Sequence, residues 1–163
     1  MGFRARNNLA SMAYDARQAR QDLLDTIADA TDEIGRALAA LGAAYEQLDE
    51  NSADRLEEQL FRPLQVAYGR ARRTHASFAQ RQRLPGRAFE PAAAGAPSQG
   101  VRGFLDAALE AVADADDALA ELQDSMMPVE VGDAELRAGL AEVRELIGPL
   151  PLRGREFLRT LGR

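Results

Sequence analysis

Cysteine, tryptophan and lysine are absent from these 163 residues, and histidine occurs once. Without cysteine there is no disulfide, thiol nucleophile or thiolate metal site, and without lysine there is no Schiff base or lysine general base. All 20 basic residues are arginine, which we interpret as codon usage in a GC-rich bacterial genome. Few groups remain that could carry catalysis.

Long apolar runs are absent as well. No stretch of about 18 apolar residues could span a bilayer, and no apolar run follows the charged N-terminus as it would in a signal peptide. We therefore expect a cytoplasmic protein. The length suffices for a hydrophobic core without disulfides, so we expect a single domain over residues 1–163.

Aromatic residues make up only 6% of the chain, although 46% of it is hydrophobic and 32 residues are alanine. Alanine has the highest helix propensity, and its small side chain lets helices pack closely. This composition favours an all-α protein over any sheet architecture.

The first predicted helix carries apolar residues at a mean spacing of about 3.5 residues, which is the seam of a helix packed on other helices, as in a coiled coil. The turn after it falls at residues 49–52, where we expect Asn51 or Ser52 to cap the next helix. The seam consists of Leu9, Met12, Ala16, Ala19, Leu23, Ile27, Ala30, Ile34, Ala37, Leu41, Tyr45 and Leu48.

The second predicted helix follows this turn and completes a hairpin over residues 8–84. Pro63 lies inside its apolar pattern, so we expect a kink or short break near residues 59–63. Leu84-Pro85-Gly86 ends the helix, and residues 85–100, rich in proline, glycine and alanine, form a connector.

A second hairpin is predicted over residues 101–161. Its first helix runs from Val101 to Met127 and ends at Pro128, and its second begins near Asp133 and is broken at Pro149 and Pro151. The predicted fold is an antiparallel up-down four-helix bundle made of two helical hairpins.

The first predicted helix is too long for its partners. At 1.5 Å per residue it would measure roughly 60 Å, against roughly 48 and 40 Å for the next two helices. Its first turns would then project with Leu9, Met12 and Ala16 unmatched. We take these three residues as candidate partner-binding residues, facing a second copy, another protein or the connector folded back.

Charge is strongly segregated along the chain. Residues 1–20 carry +3, residues 21–61 carry −9, residues 62–87 carry +7 without any acid, and residues 88–163 carry −7. In an up-down-up-down bundle the basic stretch would face the acidic helix of residues 106–135. The expected pairs are Arg73 with Glu110, Arg70 with Asp114, and Arg62 with Glu121. The alternative is a free anion-binding face.

Catalytic and metal motifs are missing. Asp106 of the third helix could orient His75 as a general base, but we interpret a lone histidine at the edge of a helix seam as a packing residue. No Glu-x-x-His pair indicates a di-iron site, and no glycine-rich loop indicates a phosphate site. We expect no enzyme, cofactor, metal or small-molecule substrate. A ligand cavity between the helices remains an alternative, although alanine-rich seams favour close packing.

The predicted function is therefore that of a non-enzymatic helical-bundle scaffold that binds another protein or itself, with a homo-oligomer as one form. The alternative is an anion-binding bundle that docks its arginine-rich end on nucleic acid or an acidic membrane surface. The candidate anion-binding residues at that end are Arg4, Arg6, Arg17, Arg20, Arg81 and Arg83.

Overall fold

A computed structural model describes residues 2–131 and 133–161, without the side chains of residues 2–5 and 7. Every regular element in these ranges is helical, which confirms the all-α prediction. The helices are α1 (Gly2–Glu46), α2 (Glu50–Leu56), α3 (Arg62–Arg81), α4 (Gly100–Asp124), α5 (Met127–Val131), α6 (Ala134–Ile147) and α7 (Leu150–Leu161), with a π-helical turn at Glu57–Phe61 and a 3-10 turn at Pro97–Gln99.

The predicted seam of α1 forms the centre of the core from Leu23 to Leu41. Ile34 and Ala37 are fully buried, and Leu23 and Ile27 are nearly so. Because residues spaced by three and four positions share one face of a helix, this single stripe can contact α3 and α4 together.

The cap of α2 differs from the prediction. Asp49, rather than Asn51 or Ser52, is the N-cap residue. Its carboxylate accepts a 2.9 Å hydrogen bond from the backbone N–H of Ser52 and a 3.0 Å bond from the Ser52 hydroxyl. One carboxylate thus satisfies two donors, which favours the earlier cap position.

The irregularity predicted at Pro63 is the π-helical turn, which ends two residues before the proline. Proline lacks an N–H and its ring crowds the preceding turn, and a wider turn relieves this without ending the helix. Leu60 before Pro63 and Leu64 after it are both buried, so the same apolar face continues past the proline.

The connector does not join neighbouring helices by a tight turn. It returns along the length of α1, where Arg87 binds Asp32 and the side chain of Gln47 donates a 3.1 Å hydrogen bond to the carbonyl of Pro97. We call residues 82–96 the strap. The strap thus leads from the end of α3 back along α1 to the start of α4.

α3 and α6 run in opposite directions, because Arg81, later along α3 than Arg70, bonds Asp133, which precedes Glu142. Tyr68 of α3 lies beside Gly35 of α1, and Arg70 of α3 bonds Glu142 of α6. α4 packs along α1 over most of its length and contacts α6 and α7 on its other side, with little contact to α3.

The predicted contact between the second and third long helices is therefore wrong. Three expected pairs, Arg73 with Glu110, Arg70 with Asp114 and Arg62 with Glu121, do not form. Arg70 bonds Glu142, and Arg62 lies 3.8 Å from Glu57 on its own chain segment. The physical reason is the strap, which carries α4 to the α1 side of the core.

The proline breaks near the C-terminus fall close to their predicted places. α6 ends at Ile147 and α7 begins at Leu150, so Pro151 lies in a first turn, where its missing N–H has no helical partner to lose. α4 ends at Asp124, earlier than predicted, and Met126 adopts a φ of 64° before Pro128 enters the short α5.

Candidate functional site

The N-terminal part of α1 is a projecting arm, defined here as residues 8–18, all of which are exposed. Leu9 and Met12 are each 67% exposed, whereas Leu23, on the same face two turns past Ala16, is 1% exposed. The strap leaves this stripe uncovered because it runs towards the opposite end of α1. The structure thus places all three candidate partner-binding residues on one open face.

The opposite face of the arm also carries an exposed aromatic residue. Tyr14 is 68% exposed and lies about 140° to 160° around the helix axis from Leu9 and Met12. Near the root of the arm, Met126 and Val129 are also about half exposed. This end of the molecule therefore presents several apolar groups to solvent.

The candidate anion-binding residues lie at the same end but are not equally available. Arg6, Arg17 and Arg83 are exposed, and Arg20 is half-buried. The side chain of Arg4 lies outside the described residues. Arg81 bonds Asp133 and Glu135 at 2.7 and 2.6 Å, so two carboxylates already balance its charge. This weakens the anion-docking hypothesis at that end.

The basic stretch of residues 62–87 is partly neutralised by several different elements. Arg70 bonds α6, Arg81 bonds the start of α6, and Arg87 bonds Asp32 of α1 through two 2.9 Å hydrogen bonds. Arg72 and Arg73 make no ion pair with another described residue. Arg83 makes none either, but only Arg72 and Arg73 line a common cleft, where positive charge remains uncompensated.

His75 is a buried packing residue in this arrangement. It is 2% exposed, its Nδ1 has no hydrogen-bond partner among the described residues, and its ring meets the edge of Phe89 at a centroid distance of 5.1 Å. Burial, and then the nearby charge of Arg87, lower the pKa of His75. With no described carboxylate bonded to Nδ1, the ring lacks the orienting partner of a general base.

The space between the helices is small near the middle of the core. A void lined by Ile27, Thr31, Thr74 and Leu140 measures about 10 Å³, which is about the lower limit for one water molecule. Within residues 2–131 and 133–161, no three His, Asp or Glu side chains are grouped to hold a metal ion. In the same ranges no helix combines the length and apolar character needed to cross a bilayer.

No protein-family profile, curated protein or solved structure matches this chain.

One surface was missed by sequence reasoning. The strap forms one wall of a cleft beside α3, with Arg87 and Phe89 facing Arg72 and Arg73. The signal in the sequence was the run of arginines with Phe89 close behind it. The pattern did not show that a segment read as a loop would turn back on α3.

Proposed function

We propose that this protein is a non-enzymatic interaction protein whose projecting arm binds another protein or a second copy of itself. The observation that carries the proposal is the exposed stripe of Leu9, Met12 and Ala16, which continues the buried seam of the core. A stripe with core-like spacing and no internal partner is typical of a helix that packs on another helix.

The proposed scaffold for the arm is one antiparallel four-helix bundle. Its four members would be α1, α2 with α3, α4, and α6 with α7, each antiparallel to its neighbours, with the strap as the long crossover. Support comes from the packing of α1 on α3 and α4, and of α6 on α3 and α4. Such a body would hold the arm rigidly, because arm and core share one continuous helix.

Burial of the exposed stripe would provide a driving force for the arm to associate with a partner helix. Removing a leucine or methionine side chain completely from water contributes about 1.5 to 3 kcal/mol, and two copies would bury two such side chains each. Alanine at position 16 would let a partner helix approach closely. The ordering of partner and arm offsets part of this gain.

The test is a Leu9→Ser/Met12→Ser variant, with Tyr14→Ser on the opposite face as matched control. Sedimentation over a wide concentration range measures self-association, and pull-downs from lysate of the source organism measure binding to other proteins. We expect the double variant to lose association or capture by at least about tenfold, because a serine cannot fill an apolar interface. The Tyr14 control is expected to behave as wild type.

A monomer at all concentrations, with the same captured proteins for wild type and double variant, would contradict the proposal. Equal losses in the double variant and in the Tyr14 control would also contradict it, since they would place binding outside the stripe.

A further inference from the structure

The cleft between α3 and the strap is lined by three arginines and an aromatic ring. Arg72 and Arg73 lie on the α3 side together with Gly69, and Arg87 and Phe89 lie on the strap side. Among the described residues, no carboxylate lines the cleft. The cleft is separate from the arm, so a ligand could bind in it whether or not the arm binds a partner.

The cleft carries an excess of two positive charges. Asp32 holds Arg87 through two parallel hydrogen bonds of 2.9 Å, which neutralises that arginine. Arg72 and Arg73 have no acidic partner among the described residues. Because both side chains line the same cleft, an anion bound there could accept hydrogen bonds from both guanidinium groups.

The guanidinium groups are held in place by their neighbours. Arg72 lies over the ring of Tyr68 at 5.4 Å, and Arg87 lies over the ring of Phe89 at 4.4 Å. Arg73 reaches over Gly69, where an added Cβ would come within 3.3 Å of its Nη1. Stacking on aromatic faces thus orients Arg72 and Arg87, and the missing side chain at Gly69 leaves room for Arg73.

An apolar depression adjoins the cleft and shares Arg72 and Phe89 with it. Its other lining residues are Gly35, Leu38 and Ala39 of α1, Tyr68 of α3, and Pro91 and Ala92 of the strap. A ligand whose anionic group sits among the arginines could therefore place an apolar body beside the rings of Tyr68 and Phe89.

We propose that this cleft binds an organic phosphate monoester, with the phosphate held by Arg72 and Arg73 and the apolar body held against Phe89. A phosphate monoester carries close to two negative charges at neutral pH, which matches the two uncompensated arginines. Each guanidinium offers five N–H donors and can bond phosphate oxygens in a bidentate manner. A carboxylate would supply only half of that charge. The same chemistry occurs in a soluble phosphorylated molecule and in a lipid headgroup.

The experiment is calorimetric titration of the full chain with inorganic phosphate, phenyl phosphate and benzyl alcohol at low salt. We expect phenyl phosphate to bind with a Kd of about 1 mM or tighter, inorganic phosphate to bind more weakly, and benzyl alcohol not to bind. Raising the salt concentration should weaken binding, because the recognition is mainly electrostatic.

Two variants locate the site. Arg72→Gln/Arg73→Gln should weaken phenyl phosphate binding by at least about tenfold. The matched control, Arg153→Gln/Arg155→Gln, removes the same charge from exposed positions on α7 and should bind as wild type. Phe89→Leu should reduce the preference for phenyl phosphate over inorganic phosphate. Unchanged thermal unfolding of the exposed arginine variants would show that they remain folded.

A second arm of the experiment uses vesicles that contain phosphatidic acid, whose headgroup is a phosphate monoester. Binding to vesicles without binding to phenyl phosphate, if it is lost in Arg72→Gln/Arg73→Gln, would identify the lipid headgroup as the source. No binding of either probe, or equal weakening in the α7 control, would overturn the proposal.

Discussion

Two helical glycines lie in opposite surroundings. A Cβ on Gly139 of α6 would come within 2.8 Å of Cγ2 of Thr74, and closer still to its Oγ1. Thr74 cannot turn away easily, because it is buried and its hydroxyl donates a 2.8 Å hydrogen bond to the carbonyl of Arg70. A Cβ on Gly42 of α1 would meet nothing within 4 Å. Gly139 therefore sets how closely α6 approaches α3.

Alanine at these two positions should have opposite effects on stability. We expect Gly139→Ala to lower the free energy of unfolding by about 1 to 3 kcal/mol through overpacking. Gly42→Ala should raise it by about 0.5 to 1 kcal/mol, because alanine is the better helix former. Urea unfolding of both variants measures this difference. Stabilisation by both substitutions would show that the α3–α6 contact is looser than these distances indicate.

His75 makes stability depend on pH. Burial first, and Arg87 of the strap second, lower its pKa, and the weaker attraction of Asp25 and Asp32 of α1 acts in the other direction. Above about pH 6.5 the histidine is neutral in the folded and unfolded chain alike, so it adds no pH dependence. Below that pH the unfolded chain takes up a proton that the folded chain does not, and stability falls.

We therefore expect the free energy of unfolding to fall between pH 6.5 and 5, by at most about 1.4 kcal/mol per pH unit from this one group. His75→Gln cannot titrate, so its stability should vary less over the same interval. Denaturant unfolding of both proteins at several pH values measures the two slopes. Equal slopes would exclude His75 as the cause.

At the scale of elements, Asp133 joins the start of α6 to the end of α3. Its carboxylate caps α6 by accepting the N–H of Leu136 at 2.9 Å, and it receives two hydrogen bonds from Arg81 at 2.7 and 2.8 Å. Burial alone would raise the pKa of Asp133, but the hydrogen bonds from Arg81 and Leu136 outweigh it and lower the pKa. The acid therefore acts as both cap and ion-pair partner.

Two substitutions separate these roles. Asp133→Asn keeps a good cap but loses the charge, and should cost about 1.5 to 3 kcal/mol of unfolding free energy. Asp133→Ala should cost about 1 kcal/mol more, because the cap is also lost. The control Glu135→Gln removes an exposed partner of the same arginine and should cost at most about 1 kcal/mol. Equal effects of Asn and Ala in chemical denaturation would show that the cap contributes nothing.

At the scale of the whole molecule, the order of the helices decides which charged residues form ion pairs. The basic stretch contacts α6 through Arg70 and Arg81 and α1 through Arg87, and the acidic α4 uses Asp116 to bind Arg144 of α6. Apart from Arg81, which bonds Asp133 and Glu135 at the end of the acidic stretch, the two stretches thus pair with other neighbours and not with one another along a single interface. Exposed pairs of this kind contribute little each, so they do not decide the order of the helices.

The arm and the cleft lie in different parts of this arrangement. The arm projects beyond the end of α3 and α4 because α1 is the longest helix. The cleft exists because the strap returns along α3 and α1 before the chain enters α4. The arm thus follows from the length of α1, and the cleft follows from the path of the strap.

Local sequence determined the helices themselves. The spacing of apolar residues from Leu23 to Leu41 was sufficient to predict the buried face of α1, and Pro149 with Gly148 was sufficient to predict where α6 ends. The length of the first seam was sufficient to predict that Leu9 and Met12 would be unmatched. These features depend on the 3.6-residue period of the helix and on the backbone N–H that proline lacks. Both act within a few helical turns.

Tertiary structure alone decided which helices are neighbours. An alanine- and leucine-rich seam such as that of α4 can pack on more than one partner, so its periodicity did not distinguish α1 from α3. The choice depends on the path of the connector, where Arg87 bonds Asp32, 55 positions away, and the carbonyl of Pro97 accepts a hydrogen bond from Gln47, 50 positions away. The cleft at Arg72 and Arg73 is a consequence of that long-range path, and for this reason the linear pattern of charges did not reveal it.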